Sequence, residues 1–354
     1  MNNALQPVAA PALAIDVAGL RKHFKVRATT FGGKPRTVSA VSDISFKLAA
    51  GQTLGIVGES GCGKSTLARL LMGLIDADAG DIRIAGLQLS QIPARLRAVR
   101  NQVQMVFQDS FASLNPRMTL EDAIMFGPLV QGVARPQARA TAHQLMQRVG
   151  LEPSRFARHY PHEISGGQRQ RINIARALAI RPSIVIFDEA VSALDKSVEI
   201  QVLNLLRDLK DEFALSYVFI SHDLNVVQYV SDQILVMYLG KVVEIGPVDA
   251  VYAKPAHPYT RALLASMPSM DPRQRTLKAP LAGDPPSPID PPTGCRFHTR
   301  CPHAAAICAK EEPMFLAADA ASEGAEAHRA ACHMLAVAPG AWVPSVTVPH
   351  GVAA

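Results

Sequence analysis

One stretch constrains this chain more than any other: Gly58-Glu59-Ser60-Gly61-Cys62-Gly63-Lys64-Ser65 matches G-x-x-x-x-G-K-[ST] at every fixed position. It follows an apolar run, Thr53–Val57, and opens onto a helical stretch, Thr66–Met72, so a strand, a tight loop and a helix are expected in succession. In that setting the glycines let successive backbone N–H groups turn inward around phosphate oxygens. Lys64 is placed to reach the β- and γ-phosphates of a nucleotide and the Ser65 hydroxyl to ligate Mg2+, while the helix N-terminus adds positive charge. Glu59, Ser60, Gly61, Cys62, Gly63 and Thr66 make up the rest of the expected cradle. A chance glycine-rich turn would carry no such flanking pattern.

A second element belongs with the first. Ile184-Val-Ile-Phe is an apolar run that ends in Asp188-Glu189. At that strand end Asp188 suits the Mg2+ shell, and Glu189 suits the general base acting on an attacking water. The rest of the chain supports one α/β domain. From Ala14 to about Met267 short β-rich runs alternate with amphipathic stretches, and Tyr217–Ile220 and Ile234–Tyr238 are further strand candidates, apolar enough to be covered on both faces. With 48% apolar and 19% charged residues the composition is that of a globular protein rather than a disordered one. The net charge of +6 over 354 residues selects no partner. Residues 1–13 form an Ala/Pro leader without the pattern of a signal peptide, and no apolar stretch reaches the roughly 18 residues of a bilayer span. A soluble or peripheral, cytosolic protein is expected. Prolines crowd residues 268–294, which reads as a linker or extended arm, and residues 295–354 form an extension that holds four of the five cysteines.

Ile164-Ser165-Gly166-Gly167-Gln168, ahead of the helical run Arg169–Ala179, separates this chain from other phosphate-loop hydrolases. It resembles the signature loop of the ABC ATPases, with Ile in place of the usual Leu. A serine and two glycines at a helix N-terminus make a second anion site, and the resemblance implies that it closes over the γ-phosphate held by a partner subunit. Other positions resemble the family in order. Gln108 resembles the Q-loop glutamine that meets Mg2+ or water. Ser192-Ala-Leu-Asp195 resembles the D-loop that crosses the dimer interface, and His222 the switch histidine that contacts the γ-phosphate. Phe24 resembles the aromatic that stacks on adenine. Ala190 stands where many members have proline, a departure expected to alter loop stiffness and not chemistry. The implied fold is a RecA-like core with a helical subdomain at about 110–180 and an antiparallel β subdomain. The implied activity is ATP hydrolysis between two such domains packed head to tail, with Glu189 and His222 catalytic and Ser65, Gln108 and Asp188 around Mg2+.

The run Phe111-Ala-Ser-Leu-Asn-Pro116, the later Val251-Tyr-Ala-Lys-Pro-Ala-His257-Pro-Tyr-Thr-Arg-Ala-Leu-Leu, and Pro286 to Pro302 resemble the ATPase subunits of dipeptide and oligopeptide importers. That branch also includes importers of nickel, glutathione and haem precursors. The resemblance implies a second ATPase subunit, identical or related, two membrane permeases and, indirectly, a substrate-binding protein, at the cytoplasmic face of the membrane; no nucleic acid is implied. Cys295, Cys301, Cys308 and Cys332 follow C-x5-C-x6-C-x23-C. The wide spacing fits structural zinc poorly and a [4Fe–4S] cluster better, and the resemblance implies such a cluster. His298, His303 and His333 keep a mixed Cys/His zinc site open, and reduced structural thiols or a redox disulfide are the readings without metal. Soluble ABC ATPases of DNA repair or translation usually carry two cassettes or a coiled-coil insertion, and neither pattern is present. The guanine-reading Asn-Lys-x-Asp of GTPases is likewise absent, and exporters typically fuse the ATPase to a membrane domain.

Overall fold

The computed structural model describes residues 12–26, 36–267, 283–318 and 327–336. Most of the expected leader, 1–11, and the start of the proline-rich arm, 268–282, lie outside the described residues. Strands β1 (Leu13–Val26), β2 (Arg36–Ala49) and β3 (Thr53–Val57) precede helix α1 (Lys64–Leu71). Strands β4 (Ala79–Ile84) and β5 (Leu87–Gln88), helix α2 (Pro93–Gln102) and strand β6 (Val103–Val106) follow. A helical block comes next: α3 (Leu120–Val130), α4 (Arg135–Arg148), α5 (Pro153–Phe156) and α6 (Gly166–Leu178). The chain returns through β7 (Ile184–Asp188), α7 (Lys196–Phe213), β8 (Ser216–Ile220), α8 (Leu224–Val230), β9 (Gln233–Tyr238) and β10 (Lys241–Pro247). Helices α9 (Val248–Ala253), α10 (Pro258–Ala265) and α11 (Ala306–Lys310) and strands β11 (Phe315–Ala317) and β12 (Arg329–Ala331) complete it.

These strands build two sheets. One is antiparallel, in the order β2-β1-β4-β5; the other runs β11-β12-β10-β9-β3-β8-β7-β6. Its strands from β9 to β6 are parallel. Strands β3, β7, β8 and β9 are buried along their whole length, which explains their unbroken apolar runs. Alternate residues serve two cores. Leu54, Ile56, Ile186, Val218, Ile220 and Leu235 face α1 and the antiparallel sheet. Val185, Phe187, Phe219, Val236 and Tyr238 face α7, α8 and the helical block, where Ile124, Met146 and Ile172 are fully buried. Burying each of these large side chains contributes about 1.5–3 kcal/mol. The RecA-like core, helical subdomain and antiparallel β subdomain expected from the sequence are all present.

The extension does not hang from the domain. Strand β12 pairs with β10, Glu244 opposite Ala330 and Ile245 opposite Arg329, so the extension adds two strands to the main sheet. A buried carboxylate fixes the junction. Glu244 accepts hydrogen bonds from the N–H groups of Ala256 (2.7 Å) and His257 (2.9 Å), and its Oε1 lies 2.7 Å from Nε2 of buried His328. Burial pushes its pKa upward, but these partners outweigh that and hold it below the usual carboxylate range. His257, also buried, is pushed down to about 4 by desolvation, so its neutral Nδ1 accepts the Tyr259 N–H (3.0 Å) and caps α10. One side chain therefore anchors the α9–α10 corner and the extension together. Replacing Glu244 with alanine leaves two N–H groups and a buried histidine unmatched and should cost about 3–5 kcal/mol. Thermal denaturation of the full chain should show a clearly lower midpoint for Glu244→Ala and a smaller fall for Glu244→Gln.

Candidate functional site

Strand β3 delivers the glycine-rich loop to the edge of the sheet, and the loop runs into α1, whose N-cap is Gly63 in a left-handed conformation (φ 110°). Gly58 is confined as well. Its φ is 149°, and a Cβ there would lie 2.2 Å from the main-chain oxygen of Met237 on β9. Only glycine lets the loop lie this close to the neighbouring strand. Lys64 is buried and folds back over the loop, donating from Nζ to the carbonyls of Gly58 (2.7 Å) and Glu59 (3.0 Å). Cys62 Sγ lies 3.9 Å from that ammonium, and burial raises the thiol's pKa.

The Ser65 hydroxyl donates to Asp188 Oδ1 at 3.0 Å, which joins the loop to the end of β7. Burial raises the Asp188 pKa; the neighbouring Glu189 adds to this, while the Ser65 hydrogen bond opposes it. A cation at this spot would favour the ionised form. Glu189 turns out of the strand with φ 50°, a left-handed conformation uncommon for a side-chain-bearing residue, and its N–H is held by Ile220 O (2.9 Å). Its carboxylate gathers two further residues from separate strand ends. Gln108 Nε2 donates to Glu189 Oε2 at 2.9 Å, and His222 Nδ1 lies 3.7 Å from the same oxygen. Ser65 and Asp188, and Gln108, Glu189 and His222, are therefore brought together beside Lys64.

The remaining expected residues lie elsewhere. Ser165 is the N-cap of α6: its hydroxyl accepts from Gln168 N–H (3.3 Å), and Gln168 Oε1 accepts from Ser165 N–H (2.9 Å). Gly166 and Gly167 form the first turn, and a Cβ at Gly167 would stand 2.5 Å from Val198 Cγ1 on α7. These hydrogen bonds close on the loop's own helix, and among the described residues none joins Ser165–Gln168 to Gly58–Ser65. Asp195 is the N-cap position of α7, and Ser192 donates from its hydroxyl to Glu189 O (2.9 Å). Phe24 is half-exposed on β1, with Lys22 Nζ 5.5 Å from its ring centre.

Sequence reasoning missed the rear of the loop. The Glu59 N–H donates to the Tyr259 hydroxyl (2.9 Å), and the Glu59 carboxylate receives both arms of Arg300, at 2.8 and 3.0 Å. Tyr259 and Arg300 both lie in runs that drew notice only as branch markers. Nothing in their spacing pairs them with a loop some 200 residues earlier.

Cys295, Cys301, Cys308 and Cys332 are all free thiols lining one small cavity, together with His257, His298, His303, His333, Phe297 and Met334. Desolvation pushes Cys295, Cys301 and Cys332 up to about 11. The donor set is that of a thiophilic metal. Among the described residues, however, no group of three or more His, Cys, Asp or Glu side chains is arranged to hold a metal ion.

Comparison with known proteins bears on this geometry. A family profile described as ABC transporter matches residues 41–192, and one described as the oligopeptide/dipeptide transporter C-terminal region matches residues 243–308. The chain is 47% identical to a probable peptide ABC transporter ATP-binding protein of Sinorhizobium fredii, covering 93% of this chain and 92% of that protein. It is also 47% identical to the oligopeptide transport ATP-binding protein OppF of Escherichia coli, covering 90% of this chain and 95% of the relative. Among solved structures, a dimeric ATP-binding cassette in a post-hydrolysis state bound to ADP and Pi superposes with a TM-score of 0.57 at 26% identity. That match covers 66% of this chain and 98% of the other. The cassette fold and the matching profiles and relatives agree, and the chain belongs to the ATP-binding subunits of the oligopeptide/dipeptide ABC transporter family.

Proposed function

We propose that this chain hydrolyses ATP to power import of dipeptides or oligopeptides through a membrane ABC transporter. The observation that carries the reading is the convergence of Ser65 with Asp188, and of Gln108 and His222 with Glu189, at the mouth of the glycine loop. In this reading residues Gly58–Thr66 cradle the phosphates and Phe24 stacks on adenine. Ser65, Gln108 and Asp188 surround Mg2+. Glu189 activates the attacking water, with His222 beside the γ-phosphate. The signature loop, Ser165–Gln168, serves the ATP of a second subunit, and Asp195 lies at the crossing between the two. Each subunit brings two half-sites, and ATP contacts made only in the closed pair drive closure. Two permease chains receive the movement at the cytoplasmic face of the membrane. Among the described residues no helix is long and apolar enough to cross a membrane, which suits a peripheral subunit. Names carried by the relatives favour peptides over nickel, glutathione or haem precursors as cargo. They also favour transport over a soluble, non-transport ABC role.

In the reconstituted transporter, Glu189→Gln should bind ATP, trap the closed pair and lower turnover by about 100-fold or more, as expected when a general base is lost. Normal ATPase rates in that variant would sink the assignment.

For the extension we propose that Cys295, Cys301, Cys308 and Cys332 hold a [4Fe–4S] cluster, with zinc as the alternative. Support comes from four free thiols sharing one cavity. Protein purified without oxygen should carry iron and acid-labile sulfide in equal amounts, and stoichiometric zinc would replace the cluster reading with the alternative.

A further inference from the structure

A carboxylate inside an anion-binding loop is an electrostatic problem. Glu59 is the first residue after Gly58, in the loop proposed above to cradle the phosphates, and Lys64 Nζ is 3.0 Å from its carbonyl. Left unmatched, its charge would repel a polyphosphate and compete for Lys64. The match comes from the opposite end of the chain. Arg300 grips the Glu59 carboxylate with both Nη atoms, at 2.8 and 3.0 Å, and its side chain is only 6% exposed. The guanidinium is itself held, donating to Gly283 O (3.1 Å) and to the Tyr238 hydroxyl (3.4 Å). Beneath it Tyr238, Tyr259 and Phe297 form one aromatic cluster, with ring centres 4.6–5.4 Å apart. Tyr259 from that cluster accepts the Glu59 N–H. The N–H and the carboxylate of Glu59 are thus both held by residues from the C-terminal part of the chain, while its carbonyl accepts from Lys64.

We infer that Arg300 is a positioning residue for ATP: by neutralising Glu59 and drawing it rearward, the C-terminal extension completes the phosphate loop's ability to accept a polyanion. This rests on the reading of Gly58–Ser65 as the ATP phosphate site. Arg300 lies on the short turn His298–Arg300, immediately before Cys301.

The test measures ATP dissociation constants and melting temperatures of the full chain for wild type, Arg300→Met, Glu59→Gln and the double variant. Arg300→Met should weaken ATP binding about tenfold, in line with losing a charge-assisted pair beside a bound anion, and the defect should shrink as salt rises. Glu59→Gln alone sets the reference affinity of a loop that lacks the carboxylate, against which the double variant is compared. Adding Glu59→Gln to Arg300→Met should restore most of the affinity, because the offending charge is gone. Wild-type affinity in Arg300→Met, or a double variant as weak as Arg300→Met, overturns the inference, the second by showing a packing role only. If Arg300→Met does not fold, Arg300→Gln takes its place with the same two overturning results. Failure of the wild-type chain to bind ATP would instead overturn the nucleotide reading itself.

Discussion

The bond between the Ser65 hydroxyl and Asp188 is the constraint around which the domain is built. It requires β3 and β7 to end at the same edge with one strand, β8, between them, and the parallel order β3-β8-β7 supplies that spacing. Parallel strands need crossovers, and those crossovers become α1, the helical block and α7. The buried, two-sided strands follow from covering both faces. Even the left-handed turn at Glu189 belongs to this arrangement, because β7 must stop at Asp188 for the next carboxylate to swing toward Gln108 and His222.

Much of this was legible in the sequence because the physics is local. Continuous apolar runs such as Ile184–Phe187 announce strands covered on both faces, and the glycine–lysine–serine loop announces its own strand and helix. Boundaries were less legible where side-chain hydrogen bonds override propensity. The helix expected from Arg169 begins at Gly166, because the reciprocal bonds of Ser165 and Gln168 draw two glycines into the first turn. Likewise α1 begins at Lys64 rather than Thr66, since Gly63 can cap it in a conformation few other residues adopt.

What stayed hidden was long-range. Strand β12 is Arg-Ala-Ala, too short and too ordinary to suggest a strand, and only its pairing with β10 makes it one. Glu244 reads as a surface acid in Lys241–Pro247, yet it is fully buried among donors from two other segments. Arg300 and Glu59 are 241 positions apart. No periodicity reports such a contact, although an acid placed in a phosphate loop is itself an anomaly that asks for a cation.

The pairing of β10 with β12 also has a bearing on what the main sheet exposes at its margin. A central sheet that ended at β10 would present an open row of N–H and C=O groups, the kind of edge on which other chains add strands. In this molecule the edge is occupied by short strands of the extension, ending in the three-residue β11, whose Phe315 ring lies 5.5 Å from the Arg329 guanidinium. The extension thereby acts as a cover over a sticky margin. A shortened chain lacking it would expose that margin to self-association and would also lose Arg300 from behind the glycine loop.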